Sequence, residues 1–262
     1  LKRLNDSALH ETSNMSKGPA NARLDRLLAN MGYGSRREMA QMARAGWILL
    51  DGAAVDDVGM RVSLNEDLQT RLTIRGQRLD PLPGMAIMMH KPLGVTCSRK
   101  EAGALIYDLL PQRWRLRDPA VSSVGRLDKE TSGLLLMTDD GDLLHRIISP
   151  KSHVPKRYVV TLDRPLLGQE AAIFASGNLM LEGEDKPLLP AELDVISQTE
   201  ARLTLHEGRY HQVRRMFAAI GNHVSALHRD RIGALILPDD LKAGDIRLMN
   251  AENIKAVLAA TA

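Results

Sequence analysis

Leu24, Leu27, Leu28 and Met31 fall at i, i+3, i+4 and i+7, the apolar stripe of a short amphipathic helix, and Gly32 and Gly34 interrupt it. Ser35 then opens S-R-R-E, a capping box with Glu38 at the third helical position. Met39, Met42 and Ala43 form the buried side of this second helix and Gly46 ends it, which leaves Arg36, Arg37 and Arg44 on the outer face. Trp47 to Leu50, an Asp51-Gly52 turn and Ala53 to Val55 read as a hairpin, and strand-like pieces continue to about Leu79.

Asp80-Pro81-Leu82-Pro83-Gly84 is a linker by composition, and the pattern changes beyond it. Strands are predicted at Met85–Met89, Val121–Val124, Leu134–Thr138, Tyr158–Leu162, Ala191–Ile196, Arg202–Leu205 and Ala234–Leu237. Helices are predicted at Asp142–Ile148, Leu167–Ala175, His211–Ile220 and Glu252–Ala260. Strands cluster between well-separated helices without alternating with them. The expected fold is therefore α+β, with a small N-terminal α+β domain and a larger domain on a mixed, largely antiparallel sheet flanked by helices. The expected boundaries are a flexible tail over 1–22, the small domain over 23–80, a linker over 81–84 and the larger domain over 85–262.

Composition narrows the class. With 262 residues, 44% hydrophobic and 26% charged, the chain reads as an ordinary globular protein. No apolar run approaches the roughly 20 residues of a membrane span. The first twenty residues lack the apolar core of a secretory leader, so the expected location is the cytoplasm. Cys97, the single cysteine, excludes an intramolecular disulfide and is expected to be a small buried side chain. Residues 113–157 carry nine basic and six acidic side chains, 201–231 six and two, and the intervening 158–200 two and eight. Two basic stretches around an acidic one suit a polyanionic partner, or equally a solvated surface. The small domain is nearly balanced, with nine basic and eight acidic residues over 23–80.

The candidate chemistry centres on GRLDKETSGLLLMTDDGD, residues 125–142. Here Asp128 lies in a loop of small and polar residues between two apolar strands, with Arg126 two positions before it. From residue types alone, a structural turn acid and a catalytic acid are equally open. His206, Glu207 and His211 resemble a zincin motif, but the histidines are five apart with Gly208 between, so a metal site is not expected. Asp139-Asp140-Gly141-Asp142 lacks the later glutamate of a calcium loop and reads as a turn with a helix cap.

Two resemblances add to this reading. RLDRLLANMGYGSRREMAQMARAGWILLDG resembles the S4 RNA-binding domain. On such a domain Arg36, Arg37 and Arg44 would fork to phosphate oxygens. G-R-L-D-x-x-T-x-G-L-L-L-x-T-x-D-G, met at every position from Gly125 to Gly141, resembles the signature loop of the pseudouridine synthases related to the ribosomal-subunit enzymes. HKPLGVTCS (90–98), KRYVV (156–160) and EGRYHQVRRMFAAIGNHVSALHRDRIG (207–233) resemble further blocks of that family. The resemblance implies Asp128 as catalytic carboxylate, Tyr158 as active-site tyrosine and Arg214 as active-site basic residue, with no metal or cofactor. An arginine beside Asp128 would keep it ionised. Arg126, Lys156, Arg209 and Arg215 join the arginines of the small domain as expected RNA contacts. The last block is most similar to the small-subunit type. That implies one uridine of 16S rRNA as substrate, reached by a monomer on an assembly intermediate. A 23S rRNA target is the alternative within the family. A non-catalytic ribosome-assembly protein is the alternative outside it. A glycoside hydrolase would need a second cooperating acid, which is not evident.

Overall fold

The computed structural model describes residues 21–149 and 152–259, so most of the expected tail, with Lys2, Arg3 and Lys17, lies outside the described residues. Asn21 and Ala22, counted with that tail from sequence, belong instead to the first strand, β1 (Asn21–Arg23). The chain divides into two compact units, with the final break between Leu82 and Pro83. The short segment Asn30–Tyr33 groups with the larger unit.

In the smaller unit β1 leads into α1 (Leu24–Asn30) and α2 (Arg36–Arg44). The capping box forms as the sequence predicts: Ser35 accepts from the Glu38 amide, and Glu38 accepts from the Ser35 amide at 2.6 Å. Leu24, Leu27, Leu28 and Met39 are buried. The hairpin of β2 (Ile48–Leu50) and β3 (Ala53–Ala54) turns on Asp51 and Gly52, at φ 53° and 81°. Two successive positive φ values are what a two-residue hairpin requires. Strands β4 (Arg61–Ser63), β5 (Leu72–Ile74) and β6 (Gln77–Arg78) follow, with the single-turn α3 (Leu68–Arg71) before β5. Beneath the arginine-rich helix, Asp25 is buried and accepts from both Arg23 and Arg36. The Arg23 hydrogen bond, with help from Arg36, holds its carboxyl at about 2.

Among the described residues, the larger unit holds a nine-stranded sheet. Its strands are β7 (Ala86–Lys91), β8 (Ser122–Val124), β9 (Ser132–Thr138), β10 (Lys156–Leu162), β11 (Glu192–Val195), β12 (Glu200–Leu205), β13 (Val224–Ile232), β14 (Leu235–Ile236) and β15 (Ile246–Leu248). The main path runs β11-β12-β10-β13-β9-β7-β15, with β14 on β13 and β8 on β9. Every pairing is antiparallel except β9 with β13, so the sheet is mixed and largely antiparallel, as the α+β reading predicts.

The single-turn α4 (Gln112–Arg115) precedes β8, and helices α5 (Gly141–Ile148) and α8 (Ala251–Leu258) pack on one face, where Leu143, Ile147 and Val257 meet Met88, Leu134 and Leu136. On the other face Val213, Met216 and Phe217 of α7 (Gln212–Ala219) and Phe174 of α6 (Glu170–Ala175) cover Val160, Leu203 and Leu205. Nearer β7, the same face is covered by Cys97, Ile106, Leu110, Val121 and Leu127. Tyr158 packs against both clusters and so sits at the seam between them. The register aligns Lys91, Gly133, Arg229, Tyr158 and Leu203 in one row across five strands. Gly133 makes that row possible: its φ is 113°, and a Cβ there would overlap the backbone of Arg229.

The sequence misses β13. HVSALHRDRIG is too polar to read as a strand, yet it pairs centrally between β9 and β10. Asp230 is bulged out against Arg157 and pairs with it at 2.7 Å.

Candidate active site

Asp128 lies in the connection between β8 and β9, and its side chain is one-third exposed. A turn closes beneath it, with the Thr131 amide donating to the Asp128 carbonyl at 3.0 Å. Leu127, one residue earlier, is buried, and its amide donates to the Cys97 sulfur at 3.5 Å. Cys97 is thus a buried acceptor, and burial pushes its thiol pKa up.

The three carbonyls after Asp128 are held by cations from two different elements. Lys91, fully buried at the end of β7, donates from Nζ to Thr131 O at 2.8 Å, Pro92 O at 2.9 Å and Lys129 O at 3.4 Å. Three carbonyls match the three donors of an ammonium. Burial lowers the pKa of Lys91, opposed by the nearby carboxylates of Glu130 and Asp128. Arg214, on α7, donates to Glu130 O and Val224 O, each at 2.8 Å. The Gly94 amide adds a second bond to Lys129 O at 2.9 Å.

His211 is the side chain that faces the carboxylate. Its Nε2 lies 3.4 Å from Asp128 Oδ1. Among the described residues it is a histidine, and not the expected arginine, that stands within salt-bridge distance of Asp128. Arg126 is exposed, and Arg214 acts on the backbone of the loop. His211 precedes α7 with φ 48° and ψ 34°, a left-handed conformation uncommon for a residue with a Cβ. Its ring stacks on Tyr210, with centroids 3.8 Å apart and planes at 16°.

Tyr158 projects from β10 beside Arg229, whose Cζ lies 6.0 Å from the ring centroid. Arg229 is 3% exposed and donates from Nε to Leu134 O at 2.8 Å, while its Nη2 and the buried Thr131 Oγ1 have no hydrogen-bond partner. Unspent polar atoms beside a loop acid are a mark of a site that handles polar ligands.

Other expected contacts are placed differently. Arg209 binds Glu207 at 3.0 Å, Glu184 at 3.2 Å and the Lys186 and Pro187 carbonyls. Arg215 binds Glu184 at 2.8 Å and the Glu182 and Tyr210 carbonyls. Both therefore fasten the acidic 182–187 segment and present no free fork to RNA. Lys156 is largely buried at the start of β10, and burial, with Arg229 nearby, lowers its pKa to about 8. Arg36 remains half-exposed but shares its guanidinium with Asp25. Arg37, Arg44 and Arg126 are exposed. Sequence reasoning gave no role to Lys91, Arg229 or His211. All three nonetheless lie inside the quoted family blocks, Lys91 in 90–98 and His211 and Arg229 in 207–233.

The family profile described as RNA pseudouridylate synthase matches residues 85–219, and the S4 domain profile matches residues 22–68. The chain belongs to the RNA pseudouridylate synthase family. It is similar to the ribosomal small subunit pseudouridine synthase A of Yersinia pestis, at 40% identity over 90% of this chain and 97% of that protein. The protein of the same name from Escherichia coli K12 is 39% identical, over 90% of this chain and all of that one. A solved structure described as a pseudouridylate synthase covers 90% of this chain and 99% of its own, at 35% identity and a TM-score of 0.63. This pseudouridine synthase is accordingly an RNA-modifying enzyme with an S4 domain ahead of its catalytic fold. No helix among its described residues is long and apolar enough to cross a membrane.

Proposed function

We propose that this enzyme isomerises one specific uridine of 16S ribosomal RNA to pseudouridine, with Asp128 as the catalytic carboxylate and Tyr158 and Arg214 completing the site. One observation carries the assignment of Asp128. It is a partly exposed acid on a loop whose next three carbonyls are clamped by Lys91 and Arg214. A carboxylate held this way needs little reorganisation when it acts.

The reaction breaks the N1–C1′ bond, turns the base and joins C5 to C1′, and the C5 proton leaves as N1 gains one. It is an isomerisation, so atoms and electrons balance within the substrate. An ionised Asp128 serves as nucleophile or as base toward the nucleoside. His211 steadies its charge at 3.4 Å. The Tyr158 ring face takes the uracil, and its hydroxyl takes part in removing the C5 proton. Arg214 acts by holding Glu130 and Val224 and so fixes the loop against α7. The target base must leave its stack, at a cost of a few kcal/mol. Phosphate contacts from exposed Arg37, Arg44 and Arg126 offset that cost. Arg36 shares its guanidinium with Asp25, while Arg209 and Arg215 fasten the 182–187 segment. The enzyme works as a monomer, on a small-subunit assembly intermediate whose target base is not yet enclosed.

The names of the related proteins and the similarity of residues 207–233 support the 16S target. Pseudouridine mapping of rRNA from a strain lacking the gene tests it: one 16S position should revert to uridine, and loss at a 23S position with 16S intact refutes it. Asp128→Asn should lower single-turnover product formation on unmodified small-subunit particles by roughly 10²–10⁴-fold or more. Wild-type turnover would remove Asp128 from its role.

A further inference from the structure

Tyr210 is 71% exposed, although its ring belongs to a built arrangement. One face stacks on His211, and His211 touches Asp128. The segment is fixed on both sides. Arg215 donates to the Tyr210 carbonyl at 3.2 Å, and the Arg209 amide donates to Gln212 Oε1 at 2.8 Å. His211 keeps its left-handed backbone within this frame, and such strain persists only where the surroundings enforce it. The result is a rigid two-ring stack that starts at the catalytic carboxylate and ends on an open tyrosine face.

We propose that the outer face of Tyr210 is a nucleobase subsite that stacks on the nucleotide adjacent to the target uridine. This rests on the reading of Asp128 as the catalytic acid. The target uracil belongs at Asp128 and Tyr158, because the reacting carbons must meet the carboxylate. The Nε2 edge of His211 meets Asp128, and the open face of Tyr210 lies beyond a ring stack of 3.8 Å from that imidazole. That is too far to reach the reacting base and suited to the next one along the strand. A base flipped from its stack leaves its neighbour with a bare π-face, and an aromatic ring replaces the lost partner whatever the base identity. His211 thus has two roles, as the neighbour of Asp128 at 3.4 Å and as the inner ring of the stack.

The test uses the full chain with Tyr210→Phe, Tyr210→Leu and Tyr210→Ala. One base–aromatic stack is worth about 1–3 kcal/mol, so loss of the ring should raise KM for RNA roughly 5- to 150-fold. Tyr210→Phe should match wild type, and the single-turnover rate at saturating RNA should stay within about threefold for all three. A rate loss with unchanged KM would mean that Tyr210 only shields His211 and would overturn the proposal, as would an unaltered KM in Tyr210→Ala. A second measurement places 2-aminopurine beside the target uridine and binds the RNA to Asp128→Asn. Its fluorescence should be quenched, and adding Tyr210→Ala should restore it; quenching that survives the loss of the ring refutes the subsite. Wild-type turnover by Asp128→Asn would sink the catalytic assignment separately, without altering the KM result.

Discussion

Lys91→Met keeps the apolar stem of a fully buried side chain and removes its ammonium, which donates to Pro92 O, Lys129 O and Thr131 O. Lys129 O keeps the Gly94 amide, so the loss falls mainly on Thr131 O and Pro92 O, the two shorter bonds. A hydrogen bond from a charged donor nets about 1.5–3 kcal/mol. Relief of the buried charge, whose cost shows in the lowered pKa of Lys91, offsets part of two such bonds. We expect a net loss of about 2–4 kcal/mol in urea unfolding and a fall in melting temperature of roughly 5–15 °C. Turnover should fall further than stability alone explains. A shift of about 1 Å in a reacting group costs roughly 100-fold, whereas KM for RNA depends on surfaces the substitution leaves alone. Lys91→Arg should recover only part of both losses, because a planar fork does not converge on three carbonyls as an ammonium does. Wild-type stability and turnover in Lys91→Met would refute the clamp. Reduced stability with wild-type turnover would show that it packs the loop without aiming Asp128.

Gly133→Ala places a Cβ against the Arg229 backbone at a φ of 113°, and should destabilise the larger unit by about 2–5 kcal/mol, read by urea unfolding. Lys156 is held at about 8 against 10.5 for the free side chain, so between these values the unfolded chain binds a proton that the folded protein does not. Stability therefore rises with pH across that window, and at pH 7 the buried charge weakens the fold by on the order of 3 kcal/mol. Lys156→Met should raise stability at pH 7 and flatten the rise between pH 8 and 10.5, which unfolding curves at several pH values would show.

The sheet was legible where apolar residues dominate. LLLMT and YVVTL read as strands because their side chains meet hydrophobic layers, and β9 and β10 form there. β13 was not legible, because a central strand carrying His228, Arg229, Asp230 and Arg231 looks like surface. Two of its charged groups are engaged by partners far away in sequence, Arg229 Nε by Leu134 O and Asp230 by Arg157. Charge counting along the chain does not show the engagement of Arg209 and Arg215, for a related reason. The acidic stretch that separates the basic ones folds back and supplies Glu184 to both. Asp128 stood out because one contiguous loop carries its motif. Its partner His211 lies 83 positions away and is brought near only by the packing of α7 against the sheet.

The clamp around Asp128 grips main-chain oxygens and ignores side-chain identity. Lys129 and Glu130 point outward while their carbonyls are held from behind. Substitutions at these two positions can alter what the rim presents to RNA without moving the carboxylate. Selection thus has a place to vary target preference that is mechanically separate from the chemistry, and a library randomised at these two residues should yield enzymes that differ in substrate yet turn over at similar rates.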